Sequence, residues 1–98
     1  MEKRTPHCQL SIVKSLIKAG KVCSTFSALA GASALQISFD GMLDIITSLT
    51  MQDFYKSMTT HSNHQVWQDV YHTSTSAGEV YIKLTVVEDV LIVSFKEL

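Results

Sequence analysis

The stretch VYIKLTVVEDVLIVSFKEL, residues 80–98, decides how the chain is read. Val80, Ile82, Leu84 and Val86 are apolar at every second position, the period of a strand with one buried face. Beyond Glu88-Asp89, the odd positions Leu91, Val93 and Phe95 are apolar in turn. A reversal centred on Glu88-Asp89 pairs Val86 with Leu91, Leu84 with Val93 and Ile82 with Phe95. Both apolar sets then face one core, and a one-residue slip undoes the match. Glu-Asp is a poor sequence for a two-residue type I′ turn, so a four-residue loop is expected. The same register sets Tyr81 opposite Lys96 on the face away from the core, with Cβ atoms about 4.5–5.5 Å apart.

Working outward, the period of two begins at Asp53. Strands are expected at 53–60, 65–72, 79–87 and 90–98, joined by short polar connections into an antiparallel meander. In DFYKSMTTHSNHQVWQDVY, residues 53–71, Lys56 and Gln68 stand mid-strand, where a face that only packs has no need of them. The two share a face if their connecting loop has an odd length. A three-residue loop His61-Ser62-Asn63, with Asn63 left-handed, meets this condition and turns Tyr55, Trp67 and Tyr71 toward the helices. An even loop within TSTSAG (73–78) then brings Gln68 beside Tyr81. Under these choices Lys56, Gln68, Tyr81 and Lys96 form one row across four strands. Only the last of the three registers follows from the apolar pattern.

The first half of the chain has helical spacing. Leu10, Val13, Leu16 and Ile17 mark a helix from about His7 to Gly20, with Gly20 as its C′ residue. A short extended piece, KVCST, follows. Ser24 or Thr25 caps a second helix through Leu35, with Phe26, Leu29, Ala30 and Ala34 on one side and Gly31 as a weak point. A third helix starts after Ser38 or Asp40 and buries Met42, Leu43, Ile46 and Leu49. Helices followed by strands read as α+β, and 98 residues read as one domain spanning 1–98.

Composition narrows the function classes. The chain is 46% hydrophobic and 17% charged, which is globular rather than disordered. No apolar run reaches the roughly 18–20 residues that cross a bilayer, and the N-terminus lacks a signal-peptide core, so a cytoplasmic protein without membrane contact is expected. Cys8 and Cys23 are far apart and form no CxxC, so they read as inert, partly buried thiols in a reducing compartment. His61 and His64 have no second ligand pair nearby, so neither a metal site nor a cofactor is expected. The net charge is −1, unevenly spread: Lys3, Arg4, Lys14, Lys18 and Lys21 face Glu2 alone in the first 24 residues. That basic third suits a polyanion without demanding one.

Two ammonium groups, a phenol and a carboxamide on one open face suit a phosphate. No carboxylate pair, Ser-His-Asp spacing or glycine-rich phosphate loop is present, which argues against protease and NTPase chemistry. RNA brings its own nucleophile, the 2′-hydroxyl, so a small basic face can cleave it without a metal. Lysine and tyrosine are equally ordinary on a solvated sheet face, and pattern alone leaves both readings open. Trp67 reads as core, Met51 and Met58 as gap-fillers, and His7, His61, His64 and His72 as surface residues rather than acid–base groups.

The strings MEKRTPH, FDGM, DFYKSMTT, WQDVY, VYIKLTV and DVLIVSFKE, in this order, resemble the MqsR-type toxins, the motility quorum-sensing regulator family. The resemblance spans nearly the whole chain and is loose only in STFSALAGASALQIS. It implies a RelE-like α+β fold, with N-terminal helices packed on one face of a C-terminal antiparallel β-sheet. It also implies an mRNA interferase, the toxin of a type II toxin–antitoxin pair linked to persistence and biofilm formation. Such toxins cut mRNA at short GC-containing sequences independently of the ribosome and are restrained by a cognate antitoxin protein, with DNA contacted only through the antitoxin complex. The family's activity-linked lysine, glutamine, tyrosine and second lysine fall on Lys56, Gln68, Tyr81 and Lys96. By this resemblance Lys56 and Lys96 grip the scissile phosphate, Tyr81 is an acid–base or positioning group, and Gln68 orients the substrate. Two alternatives stand beside it: a ribosome-dependent RelE-fold mRNA cleaver, and a non-catalytic module binding the antitoxin or operator complex. The chain departs from the family in its slight acidity and in HTSTS after Tyr71, where arginines are common. Phosphate grip there is expected to be weaker or left to His72.

Overall fold

The computed structural model describes all 98 residues, within 33 × 28 × 26 Å. Its elements run β1 (Glu2–Lys3), α1 (Leu10–Lys18), β2 (Val22–Ser24), α2 (Phe26–Ala34), α3 (Phe39–Thr47), a 3₁₀ turn (Met51–Asp53), β3 (Phe54–Thr59), β4 (Trp67–Thr75), β5 (Gly78–Val87) and β6 (Asp89–Glu97). The three helices cover one face of a six-stranded sheet of order β1-β3-β4-β5-β6-β2. This is the α+β architecture read from the sequence, with two additions. β1 pairs antiparallel with β3, and β2, the KVCST segment, pairs parallel with β6, so the sheet is mixed rather than purely antiparallel. No single helix is long and apolar enough to cross a membrane.

Helix ends follow local chemistry. Gly20, at φ 77°, closes α1: its N–H donates to Ile17 O and that of Lys21 donates to Leu16 O, the paired bonds of a Schellman cap. Thr25 caps α2 through Ala28 N–H, and Ser38 caps α3 through Gly41 N–H. The core joins Leu10, Val13 and Ile17 of α1, Ala28 and Ala32 of α2, and Met42 and Ile46 of α3 to Leu49, Tyr71, Val80, Ile82, Leu84, Val90, Ile92 and Phe95.

The expected face of α2 is wrong. Phe26 is 85% exposed and Leu29 is exposed too, while Ala28 and Ala32 are fully buried. FSALAGASA is apolar on every side, so hydrophobic periodicity does not select a face. Side-chain size selects it instead: α2 lies so close to β6 that a Cβ at Gly31 would overlap the Phe95 carbonyl. Gly31 is therefore a contact point rather than a weakness.

The last hairpin has the expected pairing at one end and a different one at the other. Tyr81 opposes Lys96 and Ile82 opposes Phe95. Nearer the turn, Leu84 opposes Ile92 and Val86 opposes Val90, after a bulge that leaves Val93 extra. The loop is not four residues long. The strands reverse at Glu88 alone, held at φ 69° between the paired Val87 and Asp89. Val90 and Ile92 are buried in place of Leu91 and Val93. VLIV is apolar at every position, so either alternate set fills the core, and a slip there is not penalised as the strict alternation of β5 suggested. The bulge and the one-residue turn offset each other, which restores the register at Tyr81.

The buried carboxylate of Asp69 fastens the N-terminal segment to the sheet. It accepts from Ser57 Oγ at 2.6 Å, His7 N–H at 2.9 Å and Cys8 N–H at 3.1 Å. Burial, with Asp69 adding to it, pushes the Cys8 thiol up. Cys23 is exposed, not partly buried. Asp69→Ala strands three donors at once and should lower stability by about 2 kcal/mol, read as a lower denaturant midpoint.

Candidate active site

β5 buries Val80, Ile82 and Leu84, so Tyr81 and Lys83 project from the opposite, helix-free face. Two rungs cross that face. One runs His72–Tyr81–Lys96, and the next runs Lys56–Val70–Lys83–Ser94. Lys96 Nζ lies 5.2 Å from the centre of the Tyr81 ring, and Lys83 Nζ lies 5.9 Å from it. Val70 is fully buried yet stands outside the helix-side core, flanked by the cross-strand lysines 56 and 83. Lysine stems lying over an apolar floor keep their charged heads raised toward solvent.

A second bulge completes the face. Phe54 pairs with Tyr71 and Lys56 with Val70, which leaves Tyr55 extra. The added residue turns Phe54 onto the core side, edge-on to Tyr71, and lets Tyr55 and Lys56 share the open face. The Tyr55 ring stacks on His72 with centroids 4.4 Å apart and planes at 20°. His72 in turn lies 5.6 Å from Tyr81. Tyr55 therefore does not face the helices as alternation suggested, whereas Tyr71 does, with its hydroxyl buried and without a partner. Burial, aided by the Asp69 charge, pushes the Tyr71 phenol far up, so it stays neutral. Trp67 is half-buried on the helix side, stacked on His7 at 5.6 Å with Lys3 Nζ 4.2 Å from its ring centre.

The four-residue row is only partly realised. Lys56, Gln68, Tyr81 and Lys96 do share one face, because the first loop is odd and the second is even. The first loop, however, is seven residues, 60–66, rather than three. Asn63 is not left-handed; its side chain accepts from Gln65 N–H to make the turn. The second loop is Ser76-Ala77, and its register sets His72, not Gln68, opposite Tyr81. Gln68 pairs with Met58, about 13 Å along β4 from the Tyr81 rung at the usual strand rise. Of the other residues on this face, His72 was expected only as a surface residue that could take over phosphate grip, Tyr55 was expected on the helix side, and Lys83 was not singled out. Lys83 was legible, since it stands two positions from Tyr81 on one strand. His72 needed the register, and Tyr55 needed a bulge that no alternation shows.

Lys56 is not free. Its Nζ donates to Glu2 Oε2 at 2.8 Å, because β1 pairing sets Glu2 opposite Met58 on the same face. The hydrogen bond and charge of Lys56 hold the Glu2 carboxyl below its usual range, and Glu2 holds the Lys56 ammonium above its own. The pair's small contribution is complete between these limits. It is lost as pH falls below 4.5 through the lowered Glu2 range, and as pH rises above 10.5 through the raised Lys56 range. Glu2 competes with any phosphate for this ammonium. Glu2→Gln should therefore tighten binding of an RNA oligonucleotide, measured by fluorescence anisotropy at neutral pH.

The face thus gathers three lysines, two phenols and an imidazole around one carboxylate. No three His, Cys, Asp or Glu side chains are arranged so that they could hold a metal ion. Residues 5–97 match the family model described as motility quorum-sensing regulator, toxin of MqsA. The chain belongs to this family. It is also 59% identical over 97 residues to the mRNA interferase toxin MqsR of Escherichia coli K12, a match covering 99% of each chain. The family match covers β2 to β6, so the strands that carry the three lysines, the two phenols and the imidazole lie inside it.

Proposed function

We propose that the protein is an mRNA interferase toxin that cleaves RNA on the open face of its sheet, independently of the ribosome, at short GC-containing sequences. The Tyr81–Lys96 pair with Lys83 beside it carries this reading: a phenol between two ammonium groups, on a surface wide enough for an extended strand. The 2′-hydroxyl attacks the adjacent phosphorus, the P–O5′ bond breaks, and the products are a 2′,3′-cyclic phosphate and a 5′-hydroxyl. The attacking hydroxyl gives up its proton and the departing O5′ takes one, so atoms and charge balance. Lys96, Lys83 and Lys56, once released from Glu2, stabilise the negative charge growing on the phosphate oxygens. Tyr81 exchanges or positions a proton at the reacting phosphate. Gln68, farther along β4, orients a neighbouring nucleotide instead of the scissile group.

Purified protein should cut naked RNA when no ribosomes are present. Cleavage only on translating ribosomes would favour the ribosome-dependent alternative. Growth arrest on expression that survives Lys56→Ala would favour the non-catalytic one. A cognate antitoxin protein is the second partner, with DNA reached only through that complex. The near-neutral charge predicts a shallow salt dependence: few phosphates are neutralised, so few counterions are released. A log–log slope of affinity against salt shallower than about −3 is expected, because the three lysines of the face contribute about −0.7 each on a single strand, roughly −2 together.

A further inference from the structure

The proposed cleavage chemistry gives Tyr55 no part, yet a bulge presents it on the same face. Regular alternation would turn its ring to the helix side, where Ser57 and Thr59 are buried. The extra residue turns it outward instead, next to Lys56 in sequence and in space, with Lys56 Nζ 5.4 Å from the ring centre. Bulges that re-aim one side chain are concentrated beside functional sites. One face of the ring is backed by His72 at 4.4 Å, while the residue as a whole remains 44% exposed. His72 makes no side-chain hydrogen bond and its Nε2 is buried without a partner, so stacking alone sets the imidazole plane. Tyr55 and His72 form a stacked pair with Tyr81 tilted at 41° beside His72, a short column of rings flanked by the ammonium groups of Lys56 and Lys96. Stacked aromatics within a cationic surface are how single-stranded nucleic acids are held without base-pair readout.

We infer that the exposed face of Tyr55 receives a nucleobase of the RNA substrate, next to the phosphate gripped by the lysines, with His72 backing the stack. The inference deepens the RNA-cleaving reading and rests on it. The cations and the ring serve one ligand: the lysines take the backbone, and the column takes the base beside it. Stacking of this kind tolerates any base, so Tyr55 contributes affinity and placement rather than choice of sequence.

The test uses an RNA made uncleavable by a 2′-deoxy nucleotide at the cut position, with 2-aminopurine placed in turn on either side. The wild type should quench the fluorophore at one of the two positions. Tyr55→Ser should abolish the quenching and weaken binding about 5- to 100-fold, while Tyr55→Phe and Tyr55→Trp keep both. Tyr55→Gln retains bulk without a π-face and should lose both as well; it decides the matter if the serine variant fails to fold. Wild-type quenching and affinity in a folded Tyr55→Ser or Tyr55→Gln overturn the inference, as does a Tyr55→Phe as weak as the serine variant. If Lys96→Ala stops cleavage of the native RNA while Tyr55→Ser binds normally, the catalytic reading stands and the stacking site falls. If purified protein neither cuts nor binds RNA, both fall.

Discussion

Lys96→Ala is expected to leave a folded protein that cuts RNA about 10²–10³-fold more slowly than the wild type. Lys96 is exposed and makes no hydrogen bond or salt bridge, so little stability is lost with it. Its partner across the strands is Tyr81, whose ring lies 5.2 Å from the ammonium. Charge developing on a phosphate held over this pair has Lys96 and Lys83 within reach, and removing one such preorganised cation costs a rate factor of that size. Tyr81→Phe should give a loss of similar order if the hydroxyl takes part, because phenylalanine keeps the ring, the stacking and the strand. Tyr71→Phe is the matching comparison. The Tyr71 hydroxyl is buried without a partner, so its removal should leave activity unchanged and stability equal or slightly raised. Single-turnover cleavage of a labelled RNA, with a thermal melt for each variant, separates chemistry from folding. Full activity in both Lys96→Ala and Tyr81→Phe would remove this site.

Gly31→Ala is the largest stability change expected of a one-carbon substitution in this chain. The added Cβ overlaps the Phe95 carbonyl oxygen and lies 3.1 Å from its carbon, and neither atom belongs to a flexible side chain. Alanine is ordinarily the better helix former by about 1 kcal/mol, so propensity alone predicts stabilisation. Steric conflict reverses the sign. Either α2 lifts from β6 and exposes the surface of Ala28 and Ala32, or β6 moves beneath the core. A loss of about 3 kcal/mol or more is expected, a large share of what a domain of this size possesses. Denaturant unfolding measures it directly. The movement would also reach the site, because Phe95 precedes Lys96 on the strand.

Much of the fold was legible because two signals agreed. β5 alternates strictly, which fixed its faces and through them the outward position of Tyr81. Gly20 marked the end of α1, and the caps Thr25 and Ser38 were each one of two candidates, beside Ser24 and Asp40, by mechanisms that act within a single turn. Two misreadings share one cause, segments with no polar side. VLIV in β6 and FSALAGASA in α2 offer no polar side to exclude, so backbone geometry chose the face: a bulge at Val93 in one case, a close helix–strand approach at Gly31 in the other. The candidate site shows the same division. Tyr81 and Lys96 stand opposite each other as the apolar register required, although a one-residue turn and a bulge at Val93 reach that pairing by another route, and Lys56 and Gln68 shared their face because only loop parity mattered. The distance of Gln68 from Tyr81 depended on loop length, which polar residues such as His61 to Gln65 leave open. Tyr55 and the Glu2–Lys56 pair arise from a bulge and from a two-residue edge strand, neither of which has a periodic signature.

The central claim, that this sheet face cleaves RNA by its own chemistry, is tested most directly by mapping the 5′ ends of transcripts treated with purified protein in the absence of ribosomes. Wild-type protein should produce discrete new 5′-hydroxyl ends within a short shared GC-containing sequence, and Lys96→Ala should produce almost none over the same interval. No new ends with the wild type, or the same ends at the same rate with Lys96→Ala, would contradict it.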